Sequence, residues 1–148
     1  MMDNPFASFD IFIDEDFRER IEGLVQRREG KSASPVHQPF NRNVDIWFFA
    51  IMLAVKKGSK PTPPRGKTYK AAEGNVLGSD AWRPTALTLL AIAEAGSAEI
   101  VDSPGEMMRI ANGYAHAGLP QLFAMLNERG DDTSLDYLCD EIEDMTGN

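Results

Sequence analysis

The tripeptide Gly66-Lys67-Thr68 matches the end of a phosphate-binding loop, which would indicate a nucleotide-binding site. Such a loop needs another glycine five positions earlier, because successive backbone N–H groups must surround the phosphates. That position holds Pro61, which has no N–H group, and no apolar strand precedes the tripeptide. The segment is therefore predicted to be a flexible basic loop and not a nucleotide site.

The two histidines, His37 and His116, and the single cysteine, Cys139, are the residues that could bind a transition metal or form a nucleophile–base pair. Zinc usually takes four ligands with recognisable local spacing, and these three residues offer none. Cys139 lies among acidic residues, a poor setting for a reactive thiolate. Structural roles are favoured, and we expect no catalytic residue, no metal and no cofactor. A site that the fold assembles around His116 or Cys139 is left open.

Asp136, Asp140 and Asp144 follow one another at intervals of four residues, so a helix places them on one face with Glu141 nearby. Such a row of carboxylates can bind a divalent cation, but a solvated helix face is the more ordinary explanation. The functional alternative is a contact surface for a basic partner, which includes the chain's own basic residues. These four acids are our candidate partner contacts on an acidic helix.

A basic segment occupies residues 56–70, where six bases occur without any acid. The six are Lys56, Lys57, Lys60, Arg65, Lys67 and Lys70. They could contact a DNA backbone or an acidic protein surface, and we take them as candidate contact residues. Tyr69 is the one aromatic residue among them, and no recognition helix accompanies them, so a solvated loop that balances the acidic remainder is the simpler interpretation.

Composition sets the class of protein. The chain has 148 residues, of which 43% are hydrophobic, and this predicts a single globular domain over 1–148. A net charge of −8 opposes nonspecific binding to nucleic acid. One cysteine excludes an internal disulfide framework. The N-terminal residues lack a basic region followed by a long apolar stretch, so no secretory signal is expected and the cytoplasm is the predicted location.

The stretch at residues 41–58 is predicted to be the central helix of this domain. Its middle, 46–55, is ten apolar residues without a break, about half of what a bilayer-spanning helix requires. Asn43 is the predicted cap and Gly58 the predicted end. Around it the sequence favours a mainly α bundle of five to six helices, with a linker at 31–40 and a basic Pro/Gly-rich loop at 59–75. Residues 9–13 alternate weakly, which is compatible with one short β segment near the N-terminus.

The next helices along the chain are predicted from the residues that typically begin and end a helix. The sequence predicts a helix over 83–95 with Gly96 after it, and another that opens with a Ser103–Glu106 capping box and stops near Gly118. Pro120 is predicted to start a further short helix. Glu99 to Asp102 is left undecided between extended and other structure.

Two more helices complete the prediction. The first follows Asp14 as its cap, with an apolar face on Phe17, Ile21, Leu24 and Val25. The last begins after Asp132 or Thr133. Its apolar positions are Leu135, Leu138, Ile142 and Met145.

Two blocks of sequence resemble a known family. PFNRNVDIWFFAIMLAVKKG (residues 39–58) looks like the signature of a small accessory protein encoded with DNA phosphorothioation (Dnd-type) modification and restriction systems, and RIANGYAHAGLPQL (residues 109–122) is similar to an element near the C-terminus of that family. The resemblance implies an accessory of bacterial defence that works beside larger nucleases and ATPases. It carries over no catalytic residues.

Three functions are compatible with these sequence patterns. The leading hypothesis is a non-enzymatic interaction subunit of a bacterial DNA modification–restriction or antiphage system, whose partners are other proteins of the same operon. The alternative is a small DNA-binding or regulatory module that uses residues 56–70. A third, an enzyme, requires a deep pocket that joins His116, Tyr114 and acidic side chains.

Overall fold

Helices dominate the part of the chain that the computed structural model describes, residues 4–26, 38–128 and 134–146. In chain order the elements are β1 (Asp10–Asp14), α1 (Arg18–Leu24), α2 (Asn43–Lys56), β2 (Thr68–Glu73), α3 (Trp82–Ala95), α4 (Pro104–Asn127) and α5 (Ser134–Thr146). Three 3₁₀ turns lie at Glu15–Phe17, Gly74–Ser79 and Ala98–Asp102. The predicted mainly α fold with one short β segment near the N-terminus is confirmed.

Helix α2 is the central element, as its apolar sequence predicts, and it packs chiefly against α4. The predicted cap was wrong by one residue. Arg42 is the N-cap, and its backbone N–H donates to the Asp45 carboxylate at 3.1 Å. Asn43 is already helical and donates from Nδ2 to the Ala71 carbonyl at 2.9 Å, which ties α2 to β2. Gly58, with φ of 72°, follows the end of the helix as predicted.

Helix α4 continues through Gly118 and Pro120, so the predicted break between two helices was wrong. A β-carbon at Gly118 would collide with the backbone oxygen of Ala50, so this glycine serves the close approach of α2 and not the end of a helix. Pro120 removes one internal hydrogen bond, but Leu119 and Leu122 on either side of it are fully buried. Burial of this apolar face against α2 outweighs the local preference for a break.

Strands β1 and β2 pair antiparallel, from Asp10 opposite Glu73 to Asp14 opposite Thr68, with a bulge between Ile11 and Phe12. Ile11 and Ile13 are buried, whereas Phe12 is 43% exposed. Strand β2 lies inside the predicted loop at 59–75, so only its first part is irregular. All three prolines of that segment precede Thr68, and the residues after them are therefore free to form a ladder.

The ends of several elements depart from prediction. Asp14 caps as predicted, but it caps the 3₁₀ turn before α1, where its Oδ1 accepts from the Asp16 N–H at 3.1 Å. The Ser103–Glu106 capping box does not form: the Ser103 side chain makes no capping hydrogen bond, and the Glu106 carboxylate accepts from the Arg109 guanidinium at 2.7 Å. A charge-assisted bond of this kind is stronger than one to a neutral backbone N–H.

The undecided segment 99–102 belongs to a 3₁₀ turn, and α3 stops at Gly96 as predicted. Of the predicted linker at 31–40, only residues 38–40 are described, and there Phe40 is buried and forms a parallel bridge with Val25. His37 and the caps at Asp132 and Thr133 lie outside the described residues. Among the helices that are described, none is both long and apolar enough to cross a membrane.

Candidate interaction surface

The chain leaves α2 into a short extended segment, residues 60–64, which we call the proline strap. Its sequence is Lys-Pro-Thr-Pro-Pro. Each proline fixes its own φ near that of polyproline II, and each residue before a proline is pushed towards the same region. The conformation of the strap is therefore set by covalent geometry, without a repeating pattern of internal hydrogen bonds.

Three contacts hold the strap and its flanks to the core. The Thr62 N–H donates to the Gly113 carbonyl of α4 at 2.9 Å. A β-carbon on Gly113 would lie 2.7 Å from Cβ of Pro61, so the absence of a side chain in α4 creates the seat for the strap. Further along, the Arg65 N–H donates to Oδ2 of Asp14 at 3.0 Å. The backbone of the strap is thus anchored at both ends.

Asp14 is the anchor on which several segments meet, and it is 3% exposed. Burial acts to raise the pKa of its carboxyl, but the backbone N–H groups of Asp16, Arg65 and Gly66 act against burial. Together they outweigh burial, and the pKa lies below its ordinary value of 3.8. The ionised carboxylate is therefore the form that holds the strap.

Both ring nitrogens of His116 are bonded to backbone groups. His116 is 5% exposed, and its Nε2 accepts from the Asp14 backbone N–H at 3.0 Å. Since Nε2 accepts, the proton lies on Nδ1, which donates to the Asn112 carbonyl at 2.7 Å. The ring thereby links α4 to β1, directly beneath the carboxylate that holds the strap.

The six basic residues that were predicted as contacts fall into two groups in the structure. Lys60 lies 3.8 Å from Glu94, and Lys70 lies 3.1 Å from Glu73 and 3.7 Å from Asp10. The other four side chains are exposed, and no acid in residues 4–26, 38–128 or 134–146 lies within ion-pair distance of them. We call these four the unpaired bases: Lys56, Lys57, Arg65 and Lys67.

A groove of about 970 Å³ runs beside the strap. The strap forms one wall, and β1, the end of α3 and the first half of α4 form the others. Phe9 and Phe12 of the β1 side are 36% and 43% exposed, and the Phe9 ring packs on Gly105 at the start of α4. No local sequence pattern indicates that these aromatic side chains lie beside the basic segment, because they are far from it along the chain.

Every acid that lines the groove already has a partner. Asp10 faces Lys70, and Glu106 binds Arg109. Glu94 accepts from the Tyr114 hydroxyl at 2.8 Å. Burial raises the pKa of the Tyr114 hydroxyl to about 12, and the hydrogen bond to Glu94 contributes to this increase. The local charges are thus balanced within the protein.

His116 and Glu94 line the same groove, which is part of what the enzymatic alternative requires. Both His116 nitrogens, however, are bonded to backbone groups, and Tyr114 is held by Glu94. These side chains are positioned as structural groups, with their polar atoms directed at one another and at the backbone.

The acidic helix α5 carries the four predicted acidic contact residues. Asp136, Asp140 and Asp144 are exposed and Glu141 is half-buried, while Leu138 turns into the core. No ion pair joins these acids to the basic segment within the described residues, and in that same part of the chain no group of three or more His, Cys, Asp or Glu residues is placed to hold a metal ion. Cys139 is exposed on the same helix.

No protein-family model, curated protein or solved structure matches the chain. Its function is therefore inferred from its own residues and from the resemblance carried by two blocks of sequence.

Proposed function

We propose that the protein is a non-enzymatic interaction subunit of a bacterial DNA modification–restriction or antiphage system, and that it works in the cytoplasm beside other proteins of the same operon. The observation that carries this proposal is the set of four unpaired bases, two of which lie on a segment whose backbone is anchored to the core. Acidic groups of a partner protein would form ion pairs with these bases.

Unpaired bases are notable in this protein because acids are abundant. The chain has 23 Asp and Glu residues against 15 Lys and Arg residues, yet Arg65 and Lys67 stand without an acidic neighbour in the described residues. Their backbone is fixed, since the Arg65 N–H donates to Asp14 and the Lys67 carbonyl accepts from the Glu15 N–H at 2.8 Å. A fixed backbone lowers the entropy lost on binding, and exposed charges steer the encounter with an oppositely charged surface.

The resemblance to phosphorothioation accessory proteins supports the choice of system. Its two blocks fall on α2 and α4, the pair of helices that pack most extensively on each other. Within them, Trp47 donates from Nε1 to the Asn112 side chain at 3.0 Å, and Gly118 meets Ala50. Most residues of the two blocks thus belong to the core, whereas Lys56 and Lys57 at the end of the first block are proposed contacts, and Arg65 and Lys67 lie outside both blocks. Asp136, Asp140, Glu141 and Asp144 would offer a second, acidic contact to a basic region of the partner.

Co-expression with the products of the neighbouring genes tests the proposal. The wild-type chain should co-purify with at least one of them at low salt. A variant in which Lys56, Lys57, Arg65 and Lys67 are all changed to Gln should lose that partner. A control variant with Arg18→Gln, whose base already faces Glu15 and Glu22 and does not line the groove, should retain it. Equal recovery of the partner with all three proteins would overturn the proposal.

A gel-shift titration separates the DNA-binding alternative. When the wild-type chain alone is added to a DNA duplex at low salt, the mobility of the duplex should not change, because the net charge of −8 repels phosphate. A shift that disappears in the fourfold Gln variant would instead establish direct DNA contact through the same bases.

A further inference from the structure

The groove beside the proline strap has the properties of a site for apolar side chains. Its volume of about 970 Å³ lies at the upper end of ligand pockets, which span roughly 300–1,000 Å³. Phe9 and Phe12 are large apolar side chains with a third or more of their surface exposed. Met108 and Ile110 of α4 also line it, so apolar residues meet from two elements.

The groove is largely formed before anything binds. Thr62 and Arg65 fix the strap on either side of Pro63 and Pro64, and the prolines restrict it further. The opposite wall consists of β1 and α4, which are held together through His116 and Asp14. A ligand would therefore meet walls that need little ordering.

Two unpaired bases follow the strap directly along the chain. Asp10, Glu94 and Glu106, which line the groove, each have a basic or hydroxyl partner within the protein. Arg65 and Lys67 do not line the groove, but they are unpaired in the described residues, and each is the chain neighbour of a residue that does line it, Pro64 and Thr68. An apolar groove with unpaired bases on the adjoining segment is complementary to a ligand that has both apolar and acidic groups.

We propose that this groove binds a short acidic and apolar segment of a partner protein, with apolar side chains against Phe9 and Phe12 and carboxylates towards Arg65 and Lys67. This rests on the proposed function, because it names the chemistry of the partner that the unpaired bases contact. A single-stranded nucleic acid could also stack on the phenylalanines. The net charge of −8, however, opposes a continuous phosphate backbone, whereas a peptide places its charges only at chosen positions.

Selection from a random-peptide library displayed on phage, with the folded full chain as bait, tests the proposal without a known partner. The enriched sequences should combine aromatic or aliphatic residues with Asp or Glu. One enriched peptide, labelled with fluorescein, is then titrated with each variant and its anisotropy is followed. Enrichment of basic sequences, or no enrichment, would overturn the proposal, as would an oligo(dT) probe that binds the chain and displaces the labelled peptide.

Phe12→Asp places a carboxylate in the groove and should weaken peptide binding by about tenfold or more. Phe12→Ser serves as a second variant, which removes the ring without adding charge. Leu89→Asp is the matched control, since Leu89 is 61% exposed on α3 and does not line the groove. Circular dichroism melts establish that each variant is folded.

Binding of the natural partner distinguishes the failure of one proposal from the failure of the other. If the fourfold Gln variant loses the natural partner while Phe12→Asp and Phe12→Ser keep it, the unpaired bases bind the partner and the groove does not. If the fourfold Gln variant and the two Phe12 variants all keep the partner, both proposals are wrong. The groove proposal requires that the fourfold Gln variant and the Phe12 variants bind the partner more weakly and that Leu89→Asp binds it as wild type does.

Discussion

Asp14 joins three parts of the chain through one residue. Its carboxylate caps the 3₁₀ turn through Asp16 and accepts from the Arg65 N–H, and its own N–H donates to His116. The position of the strap therefore depends on a single buried charge. The sequence predicts the capping role, because the capped turn follows immediately, but Arg65 lies 51 residues away and no local pattern announces that contact.

Replacing Asp14 by Asn should destabilise the protein by roughly 1.5–3 kcal/mol at neutral pH, the range for hydrogen bonds to a charged group. The amide would keep the size of the side chain but would lose the charge, and its NH₂ group would face backbone donors. Urea unfolding monitored by circular dichroism measures the change. Asp144→Asn, at an exposed position of α5, should leave the free energy of unfolding within about 0.5 kcal/mol of the wild type.

The same carboxyl predicts a pH dependence. Because the pKa of Asp14 is lower in the folded state than its ordinary value of 3.8, the ionised form favours folding. Its contribution is complete above pH 3.8 and is lost as the pH falls through the folded-state pKa. The difference in unfolding free energy between wild type and Asp14→Asn should therefore shrink on acidification below pH 3.8, and a difference that stays constant there would contradict the role of the charge.

At the scale of elements, the crossing of α2 and α4 depends on Gly118. Gly118→Ala would place a methyl group against the backbone of Ala50, which cannot move without separating the helices. We expect a loss of about 3 kcal/mol or more, at the upper end of overpacking costs. Gly23→Ala is the control, because a β-carbon there meets nothing within 4 Å in α1, and it should be neutral or stabilising by about 0.5–1 kcal/mol. Equal effects in thermal unfolding would contradict the close crossing.

The attachment of the strap to α4 makes a second prediction at this scale. Gly113→Ala should push Pro61 away and lengthen the bond from Thr62 to the Gly113 carbonyl. Hydrogen exchange followed by NMR should then show faster exchange of the Thr62 amide, with the interior amides of α4 still protected. Unchanged protection at Thr62 would mean that the strap is not seated on Gly113.

Elements were predicted well where a local pattern and burial agree. The apolar run of α2 and the glycine after α3 are examples. Prediction failed where a distant partner overrides the local signal. Gly118 and Pro120 indicate a break, but the helix continues because α2 packs on it, and β2 forms because β1 supplies its ladder. The groove was not predictable for the same reason, since its walls come from four separate segments.

At the scale of the whole molecule, the bases of residues 56–70 and the acids of α5 form two charged sets of opposite sign, and no ion pair joins the two sets within the described residues. A surface of this kind favours a partner that presents charges of both signs, and exposed charges of this type contribute through attraction that salt screens.

The salt dependence of the partner complex is the sharpest test of the role of the unpaired bases. The dissociation constant for the co-encoded partner is measured over a series of salt concentrations with wild type, with the fourfold Gln variant, and with the Arg18→Gln control. We expect the fourfold Gln variant to bind about tenfold or more weakly at low salt and to lose most of the salt dependence, while the control behaves as wild type. A fourfold Gln variant with the affinity and the salt dependence of the wild type would show that these bases do not contact the partner.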